Sequence, residues 1–139
     1  MNDKDFQIER NILKIGNQII NQRTDDLKKY DLTSNQSETL LFFDQNPGAI
    51  ALDLKEYLKI SHQAARNIIV RMKEKELLYA SISDTDGRAR QVFLTEKGKD
   101  ICLQLKQKAS HIGGNLLHGF TREEKDRLSV FLDRIMTNL

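Results

Sequence analysis

Between Ser61 and Lys75 stand four side chains that reach and hydrogen-bond, His62, Gln63, Arg66 and Asn67, with Arg71 just beyond and no acidic residue before Glu74. At 100° per residue they share one side of a helix, opposite an apolar stripe of Ala65, Ile68, Ile69 and Met72 at i, i+3, i+4 and i+7. Amides of Gln and Asn offer a paired donor and acceptor that match adenine, and the guanidinium fork matches guanine. A solvated helix face usually mixes charge signs at i, i+4 spacing, whereas a face that meets phosphates must avoid carboxylates. This face avoids them. A second basic feature follows at Asp84-Thr85-Asp86-Gly87-Arg88-Ala89-Arg90, where an Asp-Gly turn signal carries two arginines with almost nothing apolar to anchor them.

These side chains need elements to hold them. Ser61 is a good N-cap for the polar-faced helix, which the spacing runs to about Lys75. Upstream, Thr33-Ser34-Asn35-Gln36 has the capping-box pattern and opens a helix that carries Leu40, Leu41 and Phe43 inward and stops at Asn46-Pro47-Gly48. A short helix over Ala51 to Leu58, with Leu54 and Leu58 on one face, leads to a tight turn at Lys59-Ile60. After Leu77 the apolar period changes from 3.6 to 2: Leu78, Ala80 and Ile82, then Val92 and Leu94, predict a hairpin about the basic tip.

Two helical regions flank this centre. From Phe6 to Leu27 two apolar stripes run together, Ile8, Ile12, Ile15 and Ile19, and Phe6, Leu13, Ile20 and Leu27. A surface helix needs one such stripe, so the second wants a cover, either another helix of the same chain or a second subunit. Thr95-Glu96-Lys97-Gly98 opens a long helix with a stripe of Ile101, Leu105, Ala109, Ile112 and Leu116, which Gly113-Gly114 is expected to bend. A further capping box at Thr121 starts the last helix, with Leu128, Phe131, Leu132, Ile135 and Leu139 expected inward.

Composition bounds the rest. A chain of 139 residues with 39% hydrophobic and 30% charged residues is one ordinary folded domain, and one Pro and seven Gly are too few for an all-β sandwich. The expected class is mainly α with a small β-hairpin. The net charge of +2 hides a gradient: residues 1–60 carry 8 basic against 10 acidic side chains, and residues 91–139 carry 8 against 6. A polyanion partner is allowed but not demanded. No apolar run exceeds about four residues, far short of the roughly 18 of a membrane span, and the polar start lacks a secretory signal, so a cytoplasmic protein without a membrane partner is expected.

Helix, tight turn, polar-faced helix and basic-tipped hairpin follow the order of a winged helix-turn-helix. The chain resembles the MarR family of dimeric bacterial transcription regulators over nearly its whole length. The specific part is Asp86-Gly87-Arg88 followed by Leu94-Thr95-Glu96-Lys97-Gly98, which looks like the family's wing motif, Asp-x-Arg and then Leu-Thr-x-x-Gly. The resemblance implies a single domain with an N-terminal dimerisation helix (1–30), a winged lobe (33–95) holding a recognition helix at about 61–75 and a wing at about 77–95, and C-terminal dimerisation helices (96–139). It implies that Arg88 enters the minor groove, where a guanidinium reads groove width, and that Asp86 holds the tip. His62, Gln63, Arg66 and Asn67 are then the candidates for base edges, Ala64 for a thymine methyl, and Ser34, Asn35, Ser61, Arg71 and Arg90 for phosphates. Phe6, Leu13, Ile20, Leu128, Phe131 and Ile135 are the candidates for the dimer interface. The implied partners are double-stranded DNA, a second copy of the chain and a small-molecule effector that releases a repressor. The chain departs from the family pattern at two places: Glu76 stands where many relatives carry Gly, and Tyr79-Ala80 where an Arg often pairs the wing aspartate.

Rival chemistries find little support. The one cysteine, Cys102, rules out a disulfide framework and a thiolate zinc site. It is read as a packing residue, with a redox-responsive regulator as the alternative. His62, His111 and His118 do not cluster at ligand spacing, and no cofactor or metal is expected. A phosphate loop, a nucleophile elbow and a paired Cys/His set are all missing, so an enzyme is not expected. A winged helix used only for protein contacts is the remaining alternative.

Overall fold

The computed structural model describes residues 3–82 and 90–139. The described elements run α1 (Asp3–Lys29), α2 (Ser34–Gln45), α3 (Ala51–Leu58), α4 (His62–Glu74), β1 (Leu78–Ile82), β2 (Arg90–Leu94), α5 (Glu96–Leu116) and α6 (Arg122–Thr137). Two compact units divide the chain, Met1–Gln107 and Lys108–Leu139.

In the first unit the helix starts are set by side chains. Thr33 Oγ1 accepts from the Gln36 N–H at 3.1 Å while Gln36 Oε1 accepts from the Thr33 N–H at 3.2 Å, so two orphan donors of α2 are satisfied reciprocally. At α3 only half of that arrangement forms, Asp53 Oδ2 accepting from the Ile50 N–H at 2.9 Å. Ser61 Oγ caps α4 by accepting from the Ala64 N–H at 3.0 Å. Between α2 and α3, Gly48 takes a φ of 86° and its N–H donates to Val92 O, while the Val92 N–H donates to Ala49 O, both at 2.9 Å. That pairing lays the loop along β2 and anchors the hairpin to the helices.

The core gathers where these elements meet. Leu40, Phe43, Leu54, Met72, Leu77 and Cys102 are essentially sealed from solvent, with Ala65, Leu78 and Val92 beside them. Complete burial of a Leu, Phe or Met side chain contributes about 1.5–3 kcal/mol relative to exposure, and these residues come from α2 through α5. Ala65, Ile69 and Met72 of α4 are buried and Ile68 half-buried, which turns the opposite face of that helix outward.

Glu76 ends α4 in a left-handed conformation, φ 62°, with its N–H on Lys73 O at 2.9 Å and the Leu77 N–H on Met72 O at 2.9 Å. This is the two-bond Schellman closure, in which glycine is the usual occupant. The departure at Glu76 therefore leaves the helix end in place and adds local strain. Glu76→Gly should raise stability by about 0.5–1 kcal/mol, read as a higher urea midpoint at unchanged m-value.

The hairpin pairs antiparallel with Leu78 opposite Leu94, Ala80 opposite Val92 and Ile82 opposite Arg90. Ile82 is exposed, against the alternation that placed it with Leu78 and Ala80, because the last pair extends past the core. In the second unit α5 continues as helix through Gly113-Gly114, and Leu116 is exposed. Thr121 caps α6 with a full capping box, but α6 buries no side chain. Leu128 is half-buried, and Phe131, Leu132, Ile135 and Leu139 are exposed, which corrects their inward assignment. Both stripes of α1 are also uncovered along most of its length: Phe6, Ile8, Ile12, Leu13, Ile15 and Ile20 are exposed, and full burial is reached only at Leu27. Periodicity reports an apolar face and is silent on what covers it.

Candidate nucleic-acid interface

His62, Gln63, Arg66, Asn67, Arg71 and Lys73 all stand exposed on α4, and Ala64 is half-buried among them. Arg90 at the start of β2 is exposed too. Gln63 Nε2 donates to Asn67 Oδ1 at 3.0 Å, so the two amides are ordered along the helix, while Gln63 Oε1, the second Gln63 Nε2 proton and both Asn67 Nδ2 protons remain for a base edge. His62, Arg66 and Lys73 share with Arg90 a cleft of about 510 Å³ whose floor is apolar, made by Ile69, Val70, Val92 and the start of α3. None of Arg66, Arg71, Lys73 and Arg90 forms an ion pair with a carboxylate among the described residues. Three cations on that concave surface, Arg66, Lys73 and Arg90, have no counter-charge among the described residues and produce a field that favours a polyanion.

Arg71 lies apart from that cleft. It borders a second hollow with Lys28, Thr33, Gln36 and Lys75 and with the carboxylates of Asp31 and Glu74, beside the start of α2 where Ser34 and Asn35 are exposed. Ser61 is exposed at the head of α4, its hydroxyl oxygen occupied as the cap. The candidate base-edge residues thus share one face with Arg90 at its border, and the candidate phosphate residues Ser34, Asn35 and Arg71 lie about the α2 start. Asp86 and Arg88 lie outside the described residues. Lys73 was missed in the sequence reading. Its signal was the i+7 spacing from Arg66, which puts it on the same face two turns further along.

The Leu94-Thr95-Glu96-Lys97-Gly98 stretch holds the hairpin to the end of α4. Thr95 Oγ1 donates to Glu76 O at 2.6 Å and accepts from the Gly98 N–H at 3.0 Å, while the Thr95 N–H donates to Leu77 O at 3.0 Å. A Cβ on Gly98 would lie 2.2 Å from Leu77 O. Tyr79 stacks on Phe93 with ring centroids 5.4 Å apart, and this aromatic pair stiffens the hairpin.

Cys102 sits elsewhere, buried on α5, with its thiol 4.0 Å from Leu40 O. Burial pushes its pKa up, and the nearby Asp44 charge adds to this while Lys106, bonded to Asp44, opposes it. The thiolate is the reactive form, so burial and the raised pKa both lower the reactivity of this thiol. Because the fold holds this proton more tightly than the unfolded chain does, the associated stability is intact below the ordinary thiol range and declines as pH climbs beyond it. Iodoacetamide at pH 8 should leave Cys102 unmodified in the native protein and label it after denaturation, as intact mass would show. Among the described residues no group of His, Cys, Asp and Glu could hold a metal ion, and no helix is long and apolar enough to cross a membrane.

A helix-turn-helix whose second helix turns outward a polar, cationic face, free of carboxylates until Glu74 in its last turn, beside a two-stranded hairpin defines a winged helix-turn-helix protein. The MarR family model matches residues 30–89. The uncharacterized HTH-type transcriptional regulator YybA of Bacillus subtilis (strain 168) is 30% identical over 114 residues, 82% of this chain and 76% of that protein. The crystal structure of the transcriptional regulator SlyA superposes with a TM-score of 0.85 at 25% identity, covering 94% of this chain and 92% of that one. A putative MarR family regulator from Listeria monocytogenes, solved with a 26mer DNA, superposes with a TM-score of 0.85 at 23% identity over 93% of this chain and 86% of its own. The chain belongs to the MarR family of transcriptional regulators. Members of that family are regulators rather than enzymes.

Proposed function

We propose that the chain acts as a homodimer that binds a pseudo-palindromic double-stranded operator, placing α4 in the major groove, and represses transcription until a small molecule releases it. The observation that carries this reading is the outward face of α4, where Gln63, Arg66 and Asn67 stand exposed beside Lys73 and Arg90, with no carboxylate among the described residues paired to the cations. Gln63, Arg66 and Asn67, with His62 at the helix head, read base edges, and Ala64 is placed for a thymine methyl. Ser34, Asn35, Ser61, Arg71 and Arg90 position the phosphates, and Arg88 with Asp86 forms the minor-groove finger. The exposed apolar stripes on α1 and α6, with Phe6, Leu13, Ile20, Phe131 and Ile135 exposed and Leu128 half-buried, support a second copy as the cover. An effector acts by altering the separation of the two α4 helices, which must match half-sites one DNA turn, about 34–36 Å, apart.

A gel-shift titration against the DNA upstream of the protein's own gene tests this. Binding should be sequence-selective and weaken steeply with salt, log affinity falling linearly with log salt. Equal affinity for every fragment, or no binding at low salt, would overturn it. The protein-contact reading predicts the second of these.

A further inference from the structure

Glu38 of α2 uses both carboxylate oxygens on different helices. Oε1 faces Arg23 Nη1 of α1 at 3.7 Å, and Oε2 accepts from the Tyr57 hydroxyl of α3 at 3.2 Å. The Tyr57 ring lies against Phe42 with centroids 4.9 Å apart, which fixes where its hydroxyl can stand. Burial, and then the Glu38 charge and hydrogen bond, raise the Tyr57 pKa, so the phenol keeps the proton it donates. As a stabiliser the bridge is poor: the ion pair is long, Arg23 and Glu38 side chains are about one-third exposed, and Arg23 Nε is buried without a partner. Half-exposed pairs of this kind contribute little to stability. What the bridge does supply is direction, since one carboxylate ties three helices at one point.

A second tie lies at the other end of the helix-turn-helix. Lys75, just past α4, donates to Asp31 O in the turn after α1 and to Gln36 Oε1 of α2. One tie leaves α3 and α4 able to pivot about it, and a second tie removes the pivot. α3 packs on α4, so whatever holds Tyr57 also holds the outward face of α4.

We propose that Glu38, tied to Arg23 and Tyr57, is the positioning residue that sets the angle of α3 and α4 against α1, and thereby the half-site spacing this regulator prefers. The inference rests on the reading of α1 as part of a dimer platform. Its signature is a change in spacing preference rather than in affinity for DNA as such.

The test uses duplexes selected by the wild-type protein from a random-sequence pool, the same duplexes with one or two base pairs inserted or removed at the centre, and a single half-site. Tyr57→Phe, which keeps the ring on Phe42, and Glu38→Gln should each bind the native spacing about five- to tenfold more weakly. Both should match wild type on the single half-site and lose much of the discrimination against altered spacings. The double variant should be no worse than Glu38→Gln alone, because both side chains act through one carboxylate. A uniform loss on every duplex, or no change on any, would overturn the proposal. Should Glu38→Gln fold poorly, Tyr57→Phe alone decides. A wild type indifferent to spacing overturns the dimer reading together with this proposal, whereas a selective wild type with unaffected variants overturns the proposal alone.

Discussion

Gly98→Ala is expected to destabilise the fold by about 2–4 kcal/mol, the sum of a small-to-large clash and one lost backbone hydrogen bond. The new Cβ would meet Leu77 O at 2.2 Å and Leu77 C at 3.1 Å, and these are backbone atoms that cannot rotate away. The same carbonyl accepts from the Thr95 N–H, so moving it breaks the bond between the end of α4 and the start of α5. Urea denaturation measures the loss as a lower midpoint. Gly113→Ala is the matched control: nothing lies within 4 Å of its Cβ, and helix propensity alone makes the change neutral or stabilising by up to about 1 kcal/mol. The contrast would show that the glycine of the Leu-Thr-x-x-Gly motif is required by close approach of two backbones.

Arg66→Ala is expected to weaken operator binding by about 1–3 kcal/mol, roughly 5- to 150-fold, with stability within about 0.5 kcal/mol of wild type. Arg66 is exposed, lines the cleft between α4 and the hairpin and pairs with no carboxylate among the described residues, so its loss removes a contact to DNA and little from the fold. Arg66→Lys should recover only part of the affinity, because a point charge replaces the fork while a bidentate contact is lost. Arginine reading guanine predicts that preference relaxes at one operator position. A loss that is equal at all positions would reassign Arg66 to a phosphate. Fluorescence anisotropy on single-base operator variants separates the two.

Much of the fold could be read from local chemistry. Thr33, Ser61 and Thr121 announce helix starts because a cap needs only residues within three positions, and the polar face of α4, without a carboxylate until Glu74, is a property of one helix. The unreadable parts depend on distant partners. Nothing near Glu76 marks it as left-handed, since tertiary packing of Leu77 under α5 holds it there. Ile82 alternates correctly, but the strand outruns the core. The stripes of α1 and α6 declare apolar faces without naming their cover, and the tie at Glu38 joins residues 15 positions upstream and 19 downstream.

The central claim is that two copies of this chain, joined through their terminal helices, present two α4 faces to one duplex. Sedimentation equilibrium of the protein alone and mixed with a selected duplex tests it most directly. The account predicts a dimer alone and two chains per duplex when bound. A monomer that binds one chain per duplex would contradict it.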